Sequence, residues 1–267
     1  MTENKVPIVE VHDLVGKYGE KTVLHDITTN IYSSEICVIL GTSGCGKTTL
    51  LKHIIGLLKP FSGYAKVFGQ KIGDLDSTET TEILKRVGIL FQNGALLGSL
   101  SVGENVALPL RMHTSLTNEV INEIVHLKLT QVDLPNTAAL YPGELSGGMR
   151  KRVAMARALV LDPPLLFCDE PSAGLDPVTA NGLDELLLRI RQTLGITIVV
   201  ITHELHSIEK IADNIIFLDR GRLLYDGLLE EAHKIQSGPV FDFFNRMPPV
   251  LQSESASSTT LFNVENP

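Results

Sequence analysis

Apolar positions recur along this chain with two periods, and the switches between them mark its parts. Stretches at Ile8 to Val15, Val23 to Ile31 and Tyr64 to Phe68 alternate or are rich in β-forming residues, with turns at Lys17-Tyr18-Gly19 and Ser62-Gly63. This predicts a small antiparallel sheet. Short apolar runs at Ile36 to Leu40, Val87 to Phe91, Leu165 to Cys168, Ile196 to Ile201 and Ile215 to Leu218 are separated by helical patterns, the first of them at Thr49 to Leu58. Runs of this kind are strands covered on both faces, so the alternation predicts βαβ units around a parallel sheet. Between Phe91 and Leu161 the pattern is helical only, and Val120, Ile121, Ile124 and Leu127 or Lys128 mark the apolar face of one helix. That segment reads as an inserted helical subdomain. After Leu223 come one short strand and two short helical segments, the last carrying Val240, Phe241, Phe243 and Phe244 over a core edge. From Pro248 onward the serine-rich composition is that of a mobile tail.

Composition narrows the class. With 267 residues, 43% of them hydrophobic, the chain can bury a full α/β core as one domain with an insertion. No apolar run reaches eighteen residues, and Met1 to Glu10 has neither a basic start nor an apolar stretch, so the reading is of a soluble protein with no secretory signal. A net charge of −8 argues against nucleic acid as a partner. The local basic run Arg150-Lys151-Arg152 reads first as a solvated helix face. Cys37, Cys45 and Cys168 lack metal or redox spacing and read as packing residues.

The chemistry begins at Gly41-Thr42-Ser43-Gly44-Cys45-Gly46-Lys47-Thr48, which fits G-x-x-x-x-G-K-[ST] and lies between a predicted strand and a predicted helix. Glycines there let successive N–H groups converge on a phosphate at a helix N-terminus. Lys47 is expected to reach the β- and γ-phosphates and Thr48 to hold Mg²⁺, with Thr49 completing the ATP-binding set. Leu165 to Glu170 is an apolar strand ending in two carboxylates. Asp169 is placed for the metal, and Glu170 to orient or deprotonate an attacking water. Ser146-Gly147-Gly148-Met149 opens a helix with Ser146 as its N-cap, which alone is no more than an ordinary helix start.

Together with Gly174-Leu175-Asp176 and Thr202-His203-Glu204, these motifs follow one another in an order and spacing that resembles an ABC-transporter ATPase, from Ile8 to about Gly227. The resemblance implies an α/β P-loop NTPase: a RecA-like parallel sheet core with a small antiparallel β subdomain and an inserted helical subdomain. The cassette would span residues 6–247, the insertion about 93–161, and the tail 248–267. It implies that Tyr18 stacks on adenine, that Gln92 senses the γ-phosphate and Mg²⁺ beside Thr48 and Asp169, and that His203 contacts the γ-phosphate. It further implies a homodimer in which Ser146, Gly147, Gly148, Met149 and Asp176 face the other subunit and its ATP. Closure would drive transmembrane permease subunits, docked along Leu96 to Leu110.

Within the family, Leu90 to Leu97 and Glu104 to Arg111, with Met149 in the signature, look like the ATPases of Mla/Mce-type phospholipid transporters. That likeness implies a peripheral place on the cytoplasmic side of an inner membrane, a Mce-type substrate-binding protein and a small accessory subunit. The alternative is an ABC ATPase that signals mechanically to an envelope enzyme through a membrane partner, or one that imports or exports another hydrophobic substrate.

Overall fold

The computed structural model describes residues 6–245; the predicted tail, 248–267, lies outside the described residues. Two twelve-residue strands, β1 (Pro7–Tyr18) and β2 (Lys21–Tyr32), pair antiparallel about a tight turn at Gly19 and Glu20. Gly19 adopts a φ of 57°, which a glycine enters without steric cost. β3 (Ile36–Gly41) is buried throughout and runs through the glycine-rich loop into α1 (Lys47–Ile54). β4 (Ser62–Val67) and β5 (Gln70–Lys71) return to the first sheet, whose order is β2-β1-β4-β5. α2 (Ser77–Leu84) starts at a capping box in which Asp76 accepts from Glu79 N and Glu79 accepts from Asp76 N, and it leads to β6 (Val87–Leu90).

The helical insertion then follows as α3 (Val102–His113), α4 (Asn118–Gln131) and α5 (Gly147–Ala158). The chain re-enters the core with β7 (Leu165–Asp169), α6 (Pro177–Leu194), β8 (Thr197–Ile201), α7 (Leu205–Ile211), β9 (Asn214–Asp219) and β10 (Arg222–Leu228), and ends in α8 (Leu229–Ala232) and α9 (Pro239–Asn245). The second sheet has the order β10-β9-β3-β8-β7-β6, parallel except for the β9–β10 edge.

Residue alternation along β3 separates two cores. Ile36, Val38 and Leu40 face the helices of the insertion and α6, while Cys37 and Ile39 face α1 and the antiparallel sheet. Each such aliphatic side chain contributes roughly 1.5–3 kcal/mol on leaving water. All three cysteines are buried and free, as packing residues would be. The aromatic cluster of α9 meets the edge of the core: Phe243 packs edge-on against Phe217 of β9 at 5.4 Å and against Phe244 at 5.4 Å. Among the described residues, no helix is long and apolar enough to cross a membrane.

The apolar face of α4 differs from the predicted one. Ile121, Val125, Lys128 and Leu129 are buried, whereas Val120 faces water and Leu127 is 61% exposed. The i, i+4, i+7 spacing of Ile121, Val125 and Lys128 sets the buried stripe, because the Lys128 stem packs inward while its ammonium emerges to pair with Asp162. The predicted set shares Ile121 and Lys128 with that stripe, while Val125 and Leu129 take the places expected of Val120 and Leu127.

Asn105 on α3 is fully buried and closes the loop that leads into the insertion. Its carbonyl accepts from Leu97 N at 2.8 Å, and its amide donates to Leu97 O, Leu100 O and Ser101 O at 3.0 to 3.1 Å. Asn105→Ala strands the Leu97 N–H and takes the side-chain donor from Leu100 O, while Leu97 O and Ser101 O keep main-chain donors. The expected cost is about 2–3 kcal/mol, read as a lower midpoint in urea or thermal unfolding.

Candidate nucleotide site

The loop from β3 to α1 is fixed by two close approaches. At Gly41, φ is 144° and an added Cβ would lie 2.0 Å from the Leu218 carbonyl oxygen of β9. At Gly46, φ is 108° and a Cβ would lie 2.6 Å from Leu24 Cδ2 of β2. Only glycine fits either place, so the loop is clamped between the two sheets. Cys45 N donates to Thr42 O at 3.2 Å and Gly221 N donates to Cys45 O at 3.0 Å, which ties the loop to the β9–β10 turn. Lys47 is only 8% exposed, and its ammonium donates to Gly41 O at 2.9 Å and Thr42 O at 3.2 Å.

Opposite the loop stands the end of β7. Thr48 Oγ1 lies 3.4 Å from both carboxylate oxygens of Asp169. Burial, and then the charge of Glu170, push the Asp169 carboxyl above its usual range, so a cation placed beside it would be welcome. Glu170 has a φ of 48°, a left-handed conformation that turns the chain off the strand end. One of its carboxylate oxygens lies 2.9 Å from His203 Nδ1. The other, Oε2, is buried with no hydrogen-bond partner.

A cleft of about 330 Å³ gathers these groups: Ser43, Gly44, Gly46, Lys47, Thr48 and Thr49 from the loop and α1, and Gln92, Glu170 and His203 from the ends of β6, β7 and β8. The arrangement offers main-chain donors and an ammonium to a polyphosphate, with the Glu170 carboxylate and His203 beside them. A larger cleft of about 390 Å³, beside His53, Phe61 and Tyr64, contains none of the predicted site residues. The oxygen donors Thr48, Gln92 and Asp169 fit Mg²⁺, a hard cation that takes few protein ligands and completes its shell with water and phosphate. Among the described residues, no group of three or more His, Cys, Asp or Glu could hold a metal ion.

Ser146, Gly147, Gly148, Met149 and Asp176 do not line this cleft within one chain. Ser146 is exposed at the N-terminus of α5, where its hydroxyl accepts from Met149 N at 3.2 Å. Gly148 lets α5 press on α6, since a Cβ there would lie 2.4 Å from Thr179 Cγ2. Asp176 caps α6 by accepting from Thr179 Oγ1, Thr179 N and Val178 N, bonds that hold its carboxyl below the usual range. Tyr18, 46% exposed at the β1–β2 hairpin, is not among the lining residues either; Val23 of β2, which the motifs did not single out, is.

The basic run on α5 is not a solvated face. Lys151 is 7% exposed and donates to Gln92 O and, at 3.2 Å, to Glu170 O. Arg152 turns the other way, to Val132 O at 3.0 Å and Asp133 at 2.6 Å. Consecutive helical residues point about 100° apart, so three in a row cannot all face water on a helix packed between other elements.

The relation to known proteins agrees with this geometry. A family model described as ABC transporter matches residues 24–173. The probable ribonucleotide transport ATP-binding protein mkl of Mycobacterium tuberculosis is 39% identical over 255 residues, 95% of this chain and 71% of that protein. The chain belongs to the ABC transporter family. It is an ATP-binding cassette, an ATPase of the kind that drives transport.

Among other relatives of the cassette, the intermembrane phospholipid transport system ATP-binding protein MlaF of Haemophilus influenzae is 39% identical over 236 residues, 88% of this chain and 89% of that one. The methionine import ATP-binding protein MetN of Brucella abortus is 37% identical, over 92% of this chain and 64% of that one. A dimeric ATP-binding cassette in a post-hydrolysis state with ADP and Pi superposes with a TM-score of 0.76 at 33% identity, covering 83% of this chain and 98% of that one. The structure of cbiO1 from Clostridium perfringens, part of the ABC transporter complex cbiONQ, gives 0.79 at 31%, covering 85% and 91%.

Lys47→Ala removes the one ammonium at the mouth of the loop. Losing charge-assisted bonds to phosphate of about 1.5–3 kcal/mol should weaken ATP binding by roughly 10- to 100-fold. Direct titration by calorimetry or a fluorescent nucleotide checks it.

Proposed function

We propose that this cassette is the ATP-hydrolysing subunit of a Mla/Mce-type complex that moves phospholipid between inner and outer membranes. The observation that carries the reading is the match to MlaF, which runs along nearly the whole of both chains, whereas the matches to Mkl and MetN leave about a third of those proteins uncovered. The segment Leu90 to Leu97, beside the site, supports the same subgroup.

In this proposal the loop amides of Gly44, Cys45 and Gly46 and the Lys47 ammonium bind the β- and γ-phosphates, with Ser43 and Thr49 beside them and Tyr18 on the adenine. Thr48, Gln92 and Asp169 would hold Mg²⁺, which when bound supplies charge neutralisation on the phosphate oxygens. Glu170 holds or takes the proton of the attacking water on its carboxylate, which His203 Nδ1 orients from 2.9 Å. Ser146, Gly147, Gly148 and Met149 serve the ATP of a second copy, with Asp176 at the seam, so ATP stabilises the closed dimer and hydrolysis releases it.

Closure needs a membrane subunit to act on. We place its docking helix in a groove between the core and the insertion, lined by Leu84, Val87, Phe91, Pro109, Ala158 and Leu161. Of the expected segment Leu96 to Leu110 only Pro109 lines it, because Val102, Val106, Ala107 and Leu110 turn into the core. Two transmembrane permease subunits, a Mce-type substrate-binding protein and a small accessory subunit complete the proposed assembly. The cassette sits peripherally on the cytoplasmic side of the inner membrane and binds no nucleic acid.

Two measurements test this. Glu170→Gln should keep Mg²⁺–ATP affinity within about 3-fold while hydrolysis falls ~10²–10⁴-fold, with an ATP-dependent dimer on gel filtration; hydrolysis near the parental rate rejects the role of Glu170. Mass spectrometry of the complex purified with its native membrane partners should find bound phospholipid. A polar solute without lipid rejects the substrate.

A further inference from the structure

We propose that Lys151 is a positioning residue for hydrolysis: from the middle of α5 its ammonium holds the main-chain carbonyls of Gln92 and Glu170 together. The inference rests on the roles proposed above for those two residues. It starts from the fact that a lysine this buried is costly unless its donors are met. Its partners are not carboxylates, as in an ordinary ion pair, but the carbonyls of Gln92 and Glu170. Those two residues supply side chains to the cleft from the ends of different strands.

The surroundings give the bond leverage. Gln92 opens a tight turn, Gly94 N to Phe91 O at 2.7 Å, that lies on α5: a Cβ at Gly94 would sit 3.3 Å from the Ala154 Cβ. Arg157, six residues along α5 from Lys151, grips the far side of that turn at Gly94 O and Ala95 O, both at 2.8 Å. The Glu170 carbonyl also accepts from Ala173 N at 3.2 Å, so Lys151 is a second anchor on a residue whose φ is 48°. Ser146 caps this same helix one and a half turns earlier. Whatever moves α5 at its Ser146 end therefore moves the two carbonyls, and with them the side chains that face the γ-phosphate and the water.

Removing the ammonium while keeping the stem's bulk should leave ATP binding intact and misplace the reacting groups. A displacement of about 1 Å can cost ~10²-fold in rate. In Lys151→Met, kcat should fall about 10- to 100-fold, with the Kd for Mg²⁺–ATP within about 3-fold of the parent. Lys151→Gln, which keeps one donor, should recover part of kcat. Combined with Gln92→Ala, Lys151→Met should cost far less than it does alone, because both act on one arrangement.

Parental kcat in Lys151→Met overturns the proposal, as does a parallel loss of kcat and ATP affinity in both Lys151 variants. If Lys151→Met does not fold, Lys151→Gln decides: reduced kcat with unchanged Kd supports the role, and unchanged kcat rejects it. Glu170→Gln, assayed alongside, separates the two levels. If it hydrolyses ATP normally, the reading of the site fails; if it is inactive while Lys151→Met is normal, this inference alone fails.

Discussion

The contact on which the site depends is the one between Gly41 and the Leu218 carbonyl. It brings the end of the central strand β3 against its neighbour β9 with no room for a side chain, and so sets where the loop begins. A triphosphate carries several charges, and donors that had to be gathered on binding would lose much of their value to reorganisation. Here the loop is held in advance by Gly41, Gly46 and the Cys45–Gly221 bond. The parallel sheet does the rest by delivering Gln92, Glu170 and His203 to the same edge from three strand ends.

The second organising element is α5. Along twelve residues it touches elements far apart in sequence: α6 through Gly148, the carbonyls beside the cleft through Lys151, the end of α4 through Arg152, and the turn after β6 through Arg157. Asp133, at φ 62°, takes both Arg152 and Arg189, so the insertion is fastened to α6 as well. The insertion and the core are therefore joined by directional, charge-assisted bonds as well as by apolar packing. Such bonds have a few discrete geometries rather than a continuum, so they fix how the insertion sits on the core.

The glycine-lysine loop and the carboxylate-ended strand were legible because each needs residue types that little else explains: glycines at forbidden φ values, and acids following a wholly apolar run. Period alone separates an antiparallel from a parallel sheet, but the strand orders and the antiparallel β9–β10 edge do not follow from it. Elsewhere polarity is a poor sign of exposure. Lys151 buries its stem and spends its ammonium internally, and Asn105 is sealed inside the insertion. A run of identical charge carries no mark of which member turns inward; only the neighbours of α5 decide that. Val23 was missed for the opposite reason, since a valine in a strand looks like core until a loop is packed beside it.

The left-handed backbone at Glu170 has a consequence for how this protein tolerates change. A non-glycine residue held at φ 48° costs on the order of 1–2 kcal/mol, and its carboxylate keeps one oxygen in a dry place without a donor. Glycine or asparagine would sit there with less strain and no orphaned anion. A chain made more durable at this position would thus be one that gives up the carboxylate facing His203.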